Sequence, residues 1–287
     1  MHRQTLLGLF GVVGIWLTAG LALPLVNVLK MFTPEQLMVF RGFLTAMMAF
    51  VGLGFVGVFC RVDKYTYLIA LTVPFATLGL FQGIRNWGAG PTIIVITATP
   101  LVNLGLSLLL GRKIPAASII GMTLLLGGVA VACWGEEFHW AGFAWSVFGA
   151  IMNGTLYEFF ARAKSKPLQK CFWGSVGMGT LGLMMSFNHS WEATSEARII
   201  VMVLSFAFVG GFLYWIANML AFDNLPTTEA SVLAQVEAPA VILGAGLILG
   251  EHTTMVQWFG VAIALLGGGY LMGWLSKQPV QNTEEKF

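Results

Sequence analysis

The sequence predicts an all-α polytopic membrane protein, with ten transmembrane helices in two inverted five-helix repeats and both termini in the cytoplasm. Three observations predict it. First, 57% of the 287 residues are hydrophobic and only 10% are charged, whereas a soluble domain carries about 25% charged residues. Second, the chain repeats itself. The stretch TIIVITATPLVNLGLSLLLGRKIPAASIIG, from Thr92 to Gly121, is echoed by SVLAQVEAPAVILGAGLILGEHTTMVQWFG, from Ser231 to Gly260. At a constant offset of 139, Pro100 falls on Pro239, Gly111 on Gly250, Gly121 on Gly260 and Gly128 on Gly267. Third, positive charge is one-sided. With the N-terminus inside, eleven Lys and Arg residues fall in inner loops and three (Lys30, Arg85, Arg198) in outer ones, and such residues are retained on the cytoplasmic side.

Each span needs roughly 20 mostly apolar residues. Ten segments qualify: 5–29, 34–59, 65–84, 88–111, 114–134, 141–160, 171–188, 198–221, 227–250 and 254–275. The first exceeds the signal-peptide core of about 7–15 residues, so it is expected to remain as a helix. Residues 1–137 then form the first repeat, 138–276 the second, and 277–287 a cytoplasmic tail. An odd number of spans per repeat inverts the second copy, an arrangement that secondary transporters use to build midplane sites. The basic run ARAKSKPLQK at 161–170 is read as a topology anchor.

Several classes are excluded. Cys60, Cys133 and Cys171 are odd in number and lack metal-ligand spacing, so no metal or cofactor is expected. The net charge of +2 gives no basis for nucleic-acid binding. No P-loop is present, and neither HExxH nor GxSxG occurs; His2, His139, His189 and His252 lie outside the span cores. An intramembrane enzyme would need such a set. A passive channel differs by lacking saturation and counter-solute acceleration. The sequon at Asn188-His-Ser190 hugs the membrane and is discounted.

Each half of the repeat is an apolar helix with a mid-helix Pro, an LxG, a short polar joint and a Gly-rich helix. This pattern resembles the EamA-type permeases of the drug/metabolite transporter superfamily. The segment LILGEHTTMVQWFGVAIALLGGGYL at 247–271 carries the resemblance best, and Thr33–Arg41 resembles the start of that family's second helix. LLLGRKIPAASIIGMTLLLGGVAV departs by having Arg112 where the second copy has Glu251. The resemblance implies a central cavity surrounded by spans one to four and six to nine, with spans five and ten outside. It leaves open amino acids, sugars, nucleotide conjugates, quaternary amines and drugs as cargo.

Polar groups inside hydrocarbon mark candidate sites. Pro100 and Pro239 each lack an N–H and should free the carbonyl four residues back, at Ile96 and Gln235; their matching positions point to broken helices lining the site, the alternative being kinks healed by neighbouring helices. Thr92, Thr99, Asn103 and Ser107 would share one face of span four. Glu237 stands near the middle of span nine, where the first copy has Ala98; it is a candidate to carry a coupling proton or attract a cationic solute. Gln235 would face about 200° away from it. Arg41 could hold a substrate carboxylate, pair with Glu237, or snorkel to the surface. Trp16, Gln82, the Asn153/Tyr157 pair, and Tyr214 with Trp215 and Asn218 complete the cavity candidates. Glu158 and Arg162 read as an i,i+4 pair, and Trp140, Trp191 and Trp274 as interface residues. Gly246/Gly250 and Gly269/Gly273 have GxxxG spacing for close helix packing.

The expectation is a secondary transporter working by alternating access, in a bacterial inner (plasma) membrane. It would export an amino acid or related small metabolite. The alternatives are a proton-coupled importer of a cationic metabolite and the passive channel. Its partners would be the solute, membrane lipid and a candidate coupling proton, in a monomer or homodimer.

Overall fold

The computed structural model describes residues 3–29, 31–60, 62–97, 99–111, 115–132, 134, 139–187, 189, 191, 196–235, 237–249 and 254–275. Every regular element among them is helical. The elements begin where the sequence supplies caps. The hydroxyl of Thr33 accepts the Gln36 N–H at 3.3 Å, and the Gln36 side chain accepts the Thr33 N–H at 2.9 Å. This reciprocal box opens α2 (Pro34–Phe59), which follows α1 (Arg3–Val28). Asp63 caps α3 (Lys64–Trp87), and Gly88, at φ 97°, turns the chain directly into α4 (Ala89–Ile96). That left-handed backbone favours glycine.

The fourth and ninth apolar segments are broken, not merely kinked. α4 stops at Ile96 and α5 (Thr99–Leu109) resumes at Thr99; α11 (Thr227–Ala234) stops and α12 (Glu237–Leu249) resumes at Glu237. Each proline therefore lies in the first turn of a new helix, where a missing N–H costs nothing. The carbonyl expected to be free at Gln235 instead accepts the Ala238 N–H at 3.1 Å in a tight turn. Trp16 of α1 donates its Nε1–H to the carbonyl of Leu233 at 2.8 Å. The break also removes the basis for placing Gln235 and Glu237 about 200° apart, because they do not share a helix. Likewise the polar stripe continues only from Thr99 to Asn103; Thr92 belongs to α4, and the side chain of Ser107 lies outside the described residues.

The remaining helices are α6 (Ala116–Ala132), α7 (Trp140–Arg162), α8 (Pro167–Ser186), α9 (Ala197–Ala207), α10 (Tyr214–Asn224) and α13 (Met255–Leu275). A π-helical turn, Phe208–Leu213, joins α9 to α10. The main packing pairs are α2 on α8, α3 on α7 and α8, α1 on α10 and α12, α4 and α5 on α7, and α6 on α13. Backbones meet where side chains vanish. A Cβ at Gly42 would lie 2.4 Å from the Gly179 nitrogen, and one at Gly128 the same distance from the Ala264 nitrogen. Gly269 does not serve this role, since nothing lies within 4 Å of its Cβ position. The surroundings of Gly246, Gly250 and Gly273 lie outside the described residues.

Among the described residues, four helical stretches are long and apolar enough to cross a membrane: Arg3–Val26, Pro34–Phe59, Lys64–Trp87 and Ala197–Asn224. Ala116–Gly128 and Trp258–Leu271 are shorter apolar helices. Large apolar side chains stay exposed on the outside, among them Val51, Phe55, Val56, Leu109 and Leu247, as lipid contact requires. The chain has the character of an integral helical membrane protein. Trp140 and Trp191 are exposed, as interface residues should be; the side chain of Trp274, the sequon residues Asn188 and Ser190, His2 and His252 lie outside the described residues.

Candidate functional site

A cavity opens among α1, α2, α3, α4, α7, α9, α10, α12 and the π turn. Among the described residues, neither α6 nor α13 contributes to the lining, and the two pack on each other. α8 stands behind the wall: a Cβ at Gly174 would come within 2.3 Å of the Trp215 ring, so the indole lies directly against α8.

Seven of the expected residues line this cavity: Arg41, Asn153, Tyr157, Tyr214, Trp215, Asn218 and Glu237. Arg41 does not snorkel. It is 7% exposed, and its guanidinium sits 5.7–5.9 Å from the centroids of Tyr214, Phe206 and Phe81. This aromatic cage holds the cation by its ring faces and leaves Nε without a hydrogen-bond partner. Glu237 is 8% exposed and accepts the Tyr214 hydroxyl at 3.2 Å. Among the described residues no ion pair closes between Arg41 and Glu237. Asn218 donates to the Tyr214 carbonyl at 2.8 Å, while its Oδ1 is buried and unpartnered. The Tyr157 ring stacks on Phe222, and Phe160 meets Trp215 edge to face, which fixes the floor.

The other six expected residues lie elsewhere. Trp16 braces the α11/α12 break through Leu233, and Pro100 and Pro239 open the second half-helices. Thr99 donates to the Ala150 carbonyl at 3.4 Å. Asn103 is buried with both amide atoms unpartnered. Gln82 donates to Glu35 at 2.6 Å and accepts from Asn86. Glu158 and Arg162 do pair, at 2.7 Å. Lys170, counted as an inner-loop charge, is instead inside α8 and buried against Asp223 at 2.7 Å.

The π turn escaped the sequence reading. It leaves the Ala207 carbonyl to accept the Thr45 hydroxyl at 3.1 Å, and it brings Phe206, Gly210 and Tyr214 to the cavity. The Gly210-Gly211 pair is its only sequence signal: a Cβ at Gly211 would lie 2.0 Å from the Thr45 hydroxyl. Such bulges recur at functional sites.

No family model matches the chain, and no curated protein does. Among solved structures, 29 chains match. One, described only as the crystal structure of a protein, superposes with a TM-score of 0.77 over 96% of this chain and 98% of its own, at 13% identity. The whole-chain fold is therefore one already seen in crystals.

Proposed function

We propose that this chain is a secondary transporter of the drug/metabolite type. It would carry a small zwitterionic metabolite, an amino acid or a related compound, out of a bacterial cell by alternating access. The observation that carries this reading is the pair of buried, opposite charges in one cavity. Arg41 and Glu237 face the same space without closing on each other, and isolated buried charge is costly. A ligand with a carboxylate and an ammonium group would satisfy both at once.

The packing supports the repeat. With α1–α6 as the first half and α7–α13 as the second, α3 on α7 has its counterpart in α1 on α10. α1 on α12 has its counterpart in α7 on α4 and α5, and α6 on α13 maps onto itself. The paired breaks fit the same exchange. On this reading the chain holds ten spans in two inverted repeats with both ends cytoplasmic, so reporters at Lys113 and Lys277 read as internal and one at His252 as external.

A proton-coupled importer of a cation is the second reading, favoured by Glu237 having a hydroxyl and not a cation as its near partner. The deciding experiment is solute exchange in proteoliposomes, guided by a thermal-shift screen of amino acids, amines, nucleosides and sugars. Saturable exchange of an amino acid supports the first reading. Flux without saturation, or binding of purely cationic solutes alone, defeats it.

A further inference from the structure

Beneath the cavity a second polar cluster ties the α2–α3 joint to the α7–α8 joint. Asp63 is its centre. One carboxylate oxygen caps α3 through the Thr66 N–H at 2.9 Å and the Thr66 hydroxyl at 3.2 Å. The other reaches across and accepts the backbone N–H groups of Lys164 and, at 3.1 Å, Ser165. The Ser165 hydroxyl lies 2.6 Å from that of Thr66 and accepts the Asp63 N–H at 3.4 Å. From α8, Gln169 donates to the carbonyls of Gly57 and Cys60, and Trp173 to that of Val58 at 3.2 Å.

We propose that this cluster, centred on Asp63 and Ser165, is a latch that shuts the cavity on the face carrying these two joints and must break for the cavity to open there. The proposal rests on the alternating-access reading. The placement argues for it. Thr66 and the cavity residue Val73 are seven positions apart on α3, about 10 Å. Phe160 lines the cavity, and its carbonyl accepts the Lys170 ammonium at 3.2 Å, next to the same joint. A solute leaving by this face must part the start of α3 from the end of α7, and the latch joins those two points. The bonds between Asp63 and Ser165 lie at partly exposed positions, where water can replace them, while the Thr66–Ser165 hydroxyl pair is buried. By the charge count this face is cytoplasmic.

Cys171, adjacent to Lys170 and fully buried, is a built-in reporter. In a chain carrying Cys60→Ser and Cys133→Ser, alkylation of Cys171 by a membrane-permeant maleimide reports opening. Asp63→Asn keeps an acceptor for Thr66 but turns an amide donor toward the Lys164 and Ser165 N–H groups. It should speed labelling roughly ten-fold, and Ser165→Ala should speed it by less. Equal labelling in wild type and both variants overturns the latch. Should Asp63→Asn not fold, a cross-link decides: Thr66→Cys with Ser165→Cys, oxidised, should slow Cys171 labelling and stop solute exchange, and a reductant should restore both. Oxidised chain exchanging at the reduced rate overturns the proposal. Latch-dependent labelling in a chain that moves no solute would sustain the latch and sink the transport reading instead.

Discussion

Glu237→Gln is the sharpest perturbation of the cavity. The amide is nearly the same shape, so the Tyr214 bond at 3.2 Å can persist as a neutral one. That exchange weakens one charge-assisted hydrogen bond and costs about 1 kcal/mol of stability. The effect on solute should be larger. A carboxylate–ammonium hydrogen bond contributes about 1.5–3 kcal/mol, and each 1.4 kcal/mol is tenfold in affinity. An amino acid that uses Glu237 should therefore bind roughly ten- to 150-fold more weakly to the variant, by calorimetry on purified protein, and exchange should fall with it. If Glu237 instead carries a coupling proton, the amide mimics the protonated form. Exchange would then survive in proteoliposomes while flux driven by a pH gradient disappears. Binding, exchange and proton-driven flux all at wild-type levels would remove Glu237 from the mechanism and take the zwitterion reading with it.

Arg41→Lys keeps the charge but loses the planar fork and the fit to three rings; affinity for a carboxylate-bearing solute should fall roughly tenfold or more, whereas an unchanged Kd would reduce Arg41 to a packing role. Trp16→Phe removes the donor to Leu233 and leaves a buried carbonyl unsatisfied, about 1–3 kcal/mol; thermal unfolding should drop clearly while the cavity chemistry stays, so lost binding in a stable variant would contradict its bracing role. Partial burial pushes the Asp63 carboxyl up, but the hydrogen bonds it accepts from Thr66, Lys164 and Ser165 outweigh that and hold it below the usual aspartate value. A depressed folded value gives stability that is present above the unfolded pKa and lost as pH falls through the folded one. The stability gap between wild type and Asp63→Asn should thus be flat from about pH 8 to about pH 5 and close only below about pH 4; closure already at about pH 6 would show that the charge on Asp63 is not what the latch uses.

Much of the scaffold was legible because its signals are local. Helix starts follow from Thr33-Pro34 and Asp63, and the two breaks from prolines spaced 139 apart. The place of the break was less legible: proline removes one N–H, but the chain ends the helix a turn earlier and starts again. The π turn was not legible, because its cause is non-local. It exists where Gly211 lets Thr45 of α2 press in and bond the Ala207 carbonyl. Trp16 and Gln82 illustrate the same limit. Both are polar groups in apolar helices, as a cavity residue should be, yet each found a partner on another helix, Leu233 and Glu35. The latch was hidden for the converse reason. Nothing local marks Asp63, Thr66 and Ser165 as a cluster in the sequence; only the fold brings them together across a separation of about a hundred positions.

On the repeat reading, the two halves of the chain line the cavity with different chemistry. The first half contributes mostly small or apolar walls: Ala19, Ala22 and Leu23 from α1, Val73, Ala76 and Leu80 from α3, and Ile96 at the end of α4. The second half contributes Asn153 and Tyr157 from α7, Tyr214 and Asn218 from α10, and Glu237 at the start of α12. Arg41 crosses that division, but its guanidinium lies against Phe206 and Tyr214 of the second half. Most of the polar lining therefore belongs to one half, and the other, Arg41 and Thr77 apart, presents an apolar surface. Apolar contact is non-directional, so on the proposed transport reading α1 and α3 could shift against a bound solute without breaking a hydrogen bond to it, whereas Arg41 would have to stay with the solute's carboxylate. On the same reading the polar groups of α7, α10 and α12, whose contacts have fixed directions, would keep hold of the solute while the cavity changed sides.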